Sequence, residues 1–304
     1  MRHVMFTACL ALATLGAGAG LASATPFEPA TIPDQIQAVG HLDVDALRKT
    51  QIFQAAGGQA MIDAALDDAP SEFRALARSL TRTIRGVSFW REGEHGALHV
   101  ETRDARALAQ LVGKLPARPA QAIDGYPTYV MEAGARSHHI AVFGDTLVLA
   151  ETADSLEHAV HVLAGKAASL AGSNKLPIVS RQGVFVFVTV GDDLLGAIQK
   201  SAHSKVLQLG LRSLVVDVGE TAGTVTASAR AEMRSADALQ KGKSILEGLR
   251  AMASLSDDPG ARTLLDGVTV TTNGLALEVV AKLSVGDIAK AIHTAKRAGH
   301  HHQE

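Results

Sequence analysis

The feature that most constrains this fold is an order of elements that occurs twice, over residues 36–166 and again over 182–296. The first stretch opens on a short strand, Val39–Val44, and Asp45 stands where a helix would be capped. The second opens on Val184–Val190, followed by the acidic pair Asp192-Asp193. Each then runs into a strand pair. Val87–Glu92 turns through Gly93–Gly96 into Ala97–Arg103, and Leu214–Val218 turns through Gly219–Gly223 into Thr224–Arg230. A helix follows each pair, Asp104–Lys114 in one and Ser235–Leu255 in the other. The latter carries Leu239, Ile245, Leu246, Leu249 and Met252 at helical spacing. A second hairpin comes next: His138–Phe143 into Thr146–Glu151 through Gly144-Asp145, and Val268–Thr272 into Leu275–Lys282 through Asn273-Gly274. Both stretches end in a helix, Ala153–Lys166 and Val285–Lys296, with Asp154 and Asp287 in the first turn.

Strands that arrive as hairpins pair antiparallel and leave helices to pack on one face of the sheet. The expected class is therefore α+β, built from two repeats, 36–166 and 182–296. The first repeat holds additional residues ahead of its hairpin, read as helix over Ala60–Leu66 and Ser71–Arg82. Residues 25–35, with Pro26, Pro29 and Pro33, read as an extended lead-in outside the core. Residues 167–181 read as the connection between repeats, and 297–304 as a His-rich tail.

Residues 1–24 have the make-up of a cleavable export signal. Arg2 supplies the positive start, Val4–Leu21 contains no charge, and Ala22-Ser23-Ala24 gives the small-x-small pattern cut after Ala24. The expected location is the periplasm or the outside of a bacterial cell. Lys and Arg number 29 and Asp and Glu 31. Arg2 leaves with the signal, so the remainder carries 28 against 31, about −3. That balance argues against nucleic acid as a partner, since nucleic acid is bound through excess basic charge. No second apolar stretch reaches the ~20 residues of a membrane span. The only cysteine is Cys9, inside the signal, so the body is expected to work without a disulfide or thiol chemistry.

Three passages resemble a loose group of exported bacterial proteins of unknown function with a duplicated α+β body. They are His41–Leu47, Phe143–Leu149 with Ala153-Asp-Ser-Leu156 behind it, and the restart near Val184. The resemblance spans most of 36–296 and implies export and fold. Its motifs are turns and caps, so it carries no catalytic residue across.

Candidate chemistry centres on histidine, of which the chain has 13. His95 and His99 lie four apart beside Glu94 and Glu101. On a helix this would look like a metalloprotease pair, but Gly96 stands where that motif needs glutamate. On a straight strand the two would share a face roughly 13 Å apart, too far for one ion. They are read as the polar, solvent-facing side of an edge hairpin and kept as minor metal candidates, with His300, His301 and His302 of the tail. Glu157, His158 and His161 sit on the helix after Ala153; Glu157 and His161 share a face, a spacing that allows a local pair or a weak metal site, and the group is read as a solvated helix face. His138 and His139 point to opposite faces of a strand. Asp192-Asp193 and Asp257-Asp258 read as acids at helix starts. Trp90 falls on the same strand face as Ser88, opposite Val87 and Phe89. It is expected under a helix; exposed, it would be the first binding-surface candidate. No nucleophile motif, calcium loop or cofactor motif is found, and no cofactor is expected.

The reading that results is a non-catalytic binding or envelope-interaction protein with an unidentified protein partner. Two alternatives stand beside it. One is a carrier of a small apolar ligand held between sheet and helices, with Val184–Val190 and Leu275–Lys282 as candidate lining. The other is a nucleotide-independent hydrolase with an unrecognised site.

Overall fold

The computed structural model describes residues 27–290, apart from 66–77, 79–80, 134–135, 174–175, 178–182, 202–209 and 255–266. The export signal, His300, His301, His302 and the pair Asp257-Asp258 lie outside the described residues. The chain forms two compact units. The first holds the segment ending at Asp45 together with Gln59–Pro177; the second holds Ala46–Gly58 and the chain from Ile178 onward.

In the first unit, β1 (Ala38–Asp43) is followed by β2 (Ile84–Glu92), β3 (His95–Thr102), α4 (Ala105–Lys114), β4 (Ala117–Ile123), β5 (Tyr126–Ala133), β6 (Arg136–Phe143), β7 (Thr146–Ala150) and α5 (Ala153–Leu163). Three short helices, α1 (Val44–Leu47), α2 (Gln51–Ala56) and α3 (Gly58–Ala65), lie between β1 and β2 in sequence. The strand order is β1-β2-β3-β7-β6-β5-β4, antiparallel throughout. The second unit contains β8 (Val184–Val190), α6 (Asp192–Ser201), β9 (Leu211–Thr221), β10 (Thr224–Met233), α7 (Ala236–Ser254), β11 (Val268–Asn273) and β12 (Ala276–Ser284). Its order is β8-β9-β10-β12-β11, again antiparallel. The fold is α+β, as the hairpin pattern requires.

The strands form where β-branched and aromatic residues cluster, most plainly in β8, Val-Phe-Val-Phe-Val-Thr-Val. Turn chemistry closes the hairpins. Asp124 and Gly125 both take positive φ, 53° and 84°, so β4 and β5 are joined by the left-handed pair that matches strand twist. This hairpin carries a strong turn signal in Asp124-Gly125. Between β11 and β12, Asn273 pairs with Ala276, so the turn is centred on Gly274-Leu275, one residue later than expected. Gly219 was expected in a turn but lies inside β9. A Cβ there would stand 2.6 Å from the Gly183 carbonyl oxygen, so the position requires a bare backbone.

Helix α5 packs against β3, β6 and β7, and it buries Leu156, Ala159, Val160 and Val162. Opposed strand residues in this unit, including Ala141, Val148 and Ala150, are also buried. The lead-in is part of this core rather than outside it. Ile32 is wholly buried, its carbonyl accepts from the Leu170 N–H at 2.8 Å, and Pro33 bridges to Ser169. In the second unit α7 packs through Ala238, Leu239 and Leu246 onto Met233, Leu277 and Val270. Met252, expected on the same buried stripe, is 71% exposed.

Candidate functional site

The most concentrated polar group lies on one face of the first sheet. Residues directly opposite on neighbouring strands share a face. The register therefore aligns His41, Ser88 and His99 across β1, β2 and β3, and beside them Asp43, Gly86 and Glu101. The His41 Nδ1 and Ser88 Oγ are hydrogen-bonded at 2.9 Å, and the ring of Phe27 lies 5.6 Å from that of His41. Gly86 has no side chain, and the His41 ring lies over it. A Cβ there would come within 3.1 Å of His41 Cε1, and Asp43 and Glu101 flank the position on either side.

His99 is 2% exposed, contrary to the solvent-facing expectation. The physical reason is strand order: β3 is flanked by β2 and β7 and is not an edge. Among the described residues neither ring nitrogen of His99 has a hydrogen-bond partner, and Nε2 lies 3.8 Å from Glu101 Oε1. Burial lowers its pKa to about 4, and His41 adds to the shift. Glu101 moves the other way. Burial pushes its carboxyl up to about 7, with Glu28, Asp145 and Asp43 adding and the Arg85 guanidinium opposing. Arg85 is the extra residue where the β2–β3 register shifts, and a bulge of that kind re-aims a side chain. Arg85 and Arg103 both approach the buried Asp45, at 4.0 and 2.7 Å. Asp45 is thus an ion-pair partner in the first turn of α1 and not the cap expected from sequence.

The remaining sequence candidates separate. His95 is exposed at the start of β3, and the strand keeps it apart from His99. It lines an open cleft of about 420 Å³ with Glu92, Thr152, Asp154, Ser155 and His158. There His158 Nδ1 stands 3.2 Å from both Glu92 oxygens, and Thr152 caps α5. His161 lies 3.5 Å from Asp124 and 4.0 Å from Glu157, while Lys166 pairs with Asp124 at 2.7 Å. Glu157 and His161 therefore belong to a local ionic group. Among the described residues no three His, Cys, Asp or Glu side chains are placed to hold a metal ion. Trp90 is 2% exposed and so falls away as a binding surface.

A different surface stands out in the second unit. The register aligns Val188, Val216, Ala229, Val279 and Val270 across all five strands on one face. Ala227, Ala229 and Ala231 form the matching column on β10. Because alanine is shorter than the valines flanking it, the face is a trough there. Helix α7 covers one end of it, and Val216, near the middle of the sheet, remains 37% exposed.

No described helix is long and apolar enough to cross a membrane. No protein-family model matches the chain, and no curated protein matches it. Solved structures do. The crystal form IV structure of TP0453 aligns with TM-score 0.53 and 11% identity, covering 89% of this chain and 97% of that one. Crystal form III of TP0453 aligns with TM-score 0.52 and 8% identity, covering 89% and 99%. At these identities the likeness is one of fold, and it extends over nearly the whole of both chains.

Proposed function

We propose that this chain is an exported, non-catalytic binding protein of the bacterial periplasm or cell exterior, and that its ligand is a small apolar molecule. The observation that carries the reading is the trough on the second sheet. A valine near the middle of a five-stranded sheet is ordinarily covered, and leaving Val216 open forgoes burial worth about 25 cal/mol per Å² of apolar surface. The columns Val188–Val216 and Val279–Val270 supply apolar walls, and the alanines of β10 supply depth. The same reading takes the two units as copies of one plan. Its support is the order β1-β2-β3-β7-β6 beside β8-β9-β10-β12-β11, with β4 and β5 added at the edge of the first.

Native mass spectrometry of protein purified from its own host tests the ligand class. The expected result is a bound apolar molecule that Val216→Asp loses while the variant keeps its circular dichroism. Protein that carries no such molecule, and takes up no apolar fluorescent probe, would overturn the reading.

A further inference from the structure

Strand β11 ends the strand order of the second unit, and among the described residues no strand pairs with its outer side. The Lys282 N–H donates to the Gly267 carbonyl at 2.9 Å, which sets the phase of the ladder between β11 and β12. In an antiparallel pair, alternate residues turn both backbone groups toward the same neighbour. Thr269 and Thr271 therefore bond inward to β12, while Val268, Val270 and Thr272 point their N–H and C=O groups outward. An edge of this kind accepts a further strand unless charge, proline or a bulge guards it. The edge strand of the first unit is guarded: β4 has Arg118, Pro119 and a register shift between Ala120 and Ile123. Strand β11 has none of these. From Val268 to Thr272 it consists of valine and threonine alone, paired with β12 without a shift.

We propose that β11 is an interface between two copies of this chain, which pair edge to edge and antiparallel about a two-fold axis at Val270. The choice of a second copy rests on self-complementarity, the condition that a two-fold interface imposes. Val270 is the central residue of the three whose backbone points outward. Setting it against its own copy brings Val268 opposite Thr272 on either side, so every outward N–H meets an outward C=O. The same register keeps each side chain on its own face. On one face the apolar row Ala229–Val279–Val270 continues into the same row of the second copy. On the other, the exposed Thr269 stands opposite Thr271 of the partner subunit, a pair that can hydrogen-bond across strands. Because β11 carries no charged side chain, the pairing sets no like charges against each other. The inference does not depend on the binding trough, since Thr269 and Thr271 lie on the opposite face of the sheet from it.

Sedimentation of the intact protein should show an average mass rising from one chain toward two between ~1 μM and ~1 mM, the range of a small interface. Over that rise the Val270 amide should exchange about tenfold more slowly, while the Thr269 and Thr271 amides, bonded to β12, hold their rates. Two double variants test the register. Thr269→Lys with Thr271→Lys sets lysine opposite lysine across the axis and should remain one chain throughout. Thr269→Glu with Thr271→Lys sets glutamate opposite lysine and should associate at least as tightly as the wild type. A wild type that stays one chain up to ~1 mM would overturn the pairing, whether or not either variant folds. So would a mass that doubles while Val270 exchange stays constant, and so would equal association by the two folded variants.

Discussion

In the folded first unit His99 stays neutral down to about pH 4, while Glu101 keeps a proton up to about pH 7. Their ordinary values, 6.5 and 4.5, stand in the reverse order. The lowered histidine contributes stability that is present above pH 6.5 and lost as pH falls toward 4. The raised glutamate contributes stability that is present below pH 4.5 and lost as pH rises through 7. Between 4.5 and 6.5 each state holds one proton on the pair, so the two slopes cancel. Glu101→Gln should unmask the histidine: urea unfolding is expected to show a loss of up to roughly 3 kcal/mol between pH 6.5 and 4. His99→Gln should show the opposite sign, with stability falling as pH rises from 4.5 to 7. Parallel curves for wild type and both variants would refute the coupling. Alternation within β2 places Trp90 with Ser88 on one face, and the structure agrees. What covers that face is not in the alternation, so alternation alone leaves His99 facing solvent.

At the scale of elements, caps and turns give the sharpest expectations. The Asp104 carboxylate accepts from the N–H groups of Arg106 and Ala107, both at 3.0 Å, at the start of α4. Asp104→Ala should cost about 1 kcal/mol in chemical unfolding, and Asp104→Asn should recover most of it. Ala222 takes φ 49° beside Gly223 at 74° in the β9–β10 turn, a conformation that strains a residue with a Cβ. Ala222→Gly or Ala222→Asn is therefore expected to raise the melting temperature, and a lowered value would count against this account of the turn. Glu220, in the same hairpin, accepts from the N–H groups of Gln51 at 2.9 Å and Ile52 at 3.1 Å. Glu220→Ala should speed exchange of those two amides well before global unfolding. Most of the hairpins were legible because period-two alternation and Gly-bounded turns are local. The β4–β5 hairpin carried its signal in Asp124-Gly125, but its strand β4 is mostly exposed and lacks the apolar alternation that marks the others.

At the scale of the molecule, the described residues of the second unit come from two separate pieces of chain. Ala46–Gly58 precedes most of the first unit in sequence yet belongs to the second, where Glu220 binds its backbone and Gln51 approaches Gly223. A fragment starting at Ile178 is expected to melt below the same fragment supplied with a peptide covering residues 44–58. Equal melting temperatures would show that this segment contributes nothing to the second unit. Matching strand order in the two units, and a fold shared with TP0453 at 11% identity or less, fit a plan set by pairing order more than by individual residues.

By itself the sequence determined the α+β class, most of the strands and the face on which each side chain lies. Those properties depend on residue type and on spacing within a few positions of the chain. Tertiary structure alone decided that β3 is an interior strand, that Ile32 is core, that Asp45 meets Arg103, and that Glu101 faces Asp43 across Gly86. Each of these depends on which strands become neighbours. Pairing brings together residues tens of positions apart, and burial then sets the charge state of what it encloses.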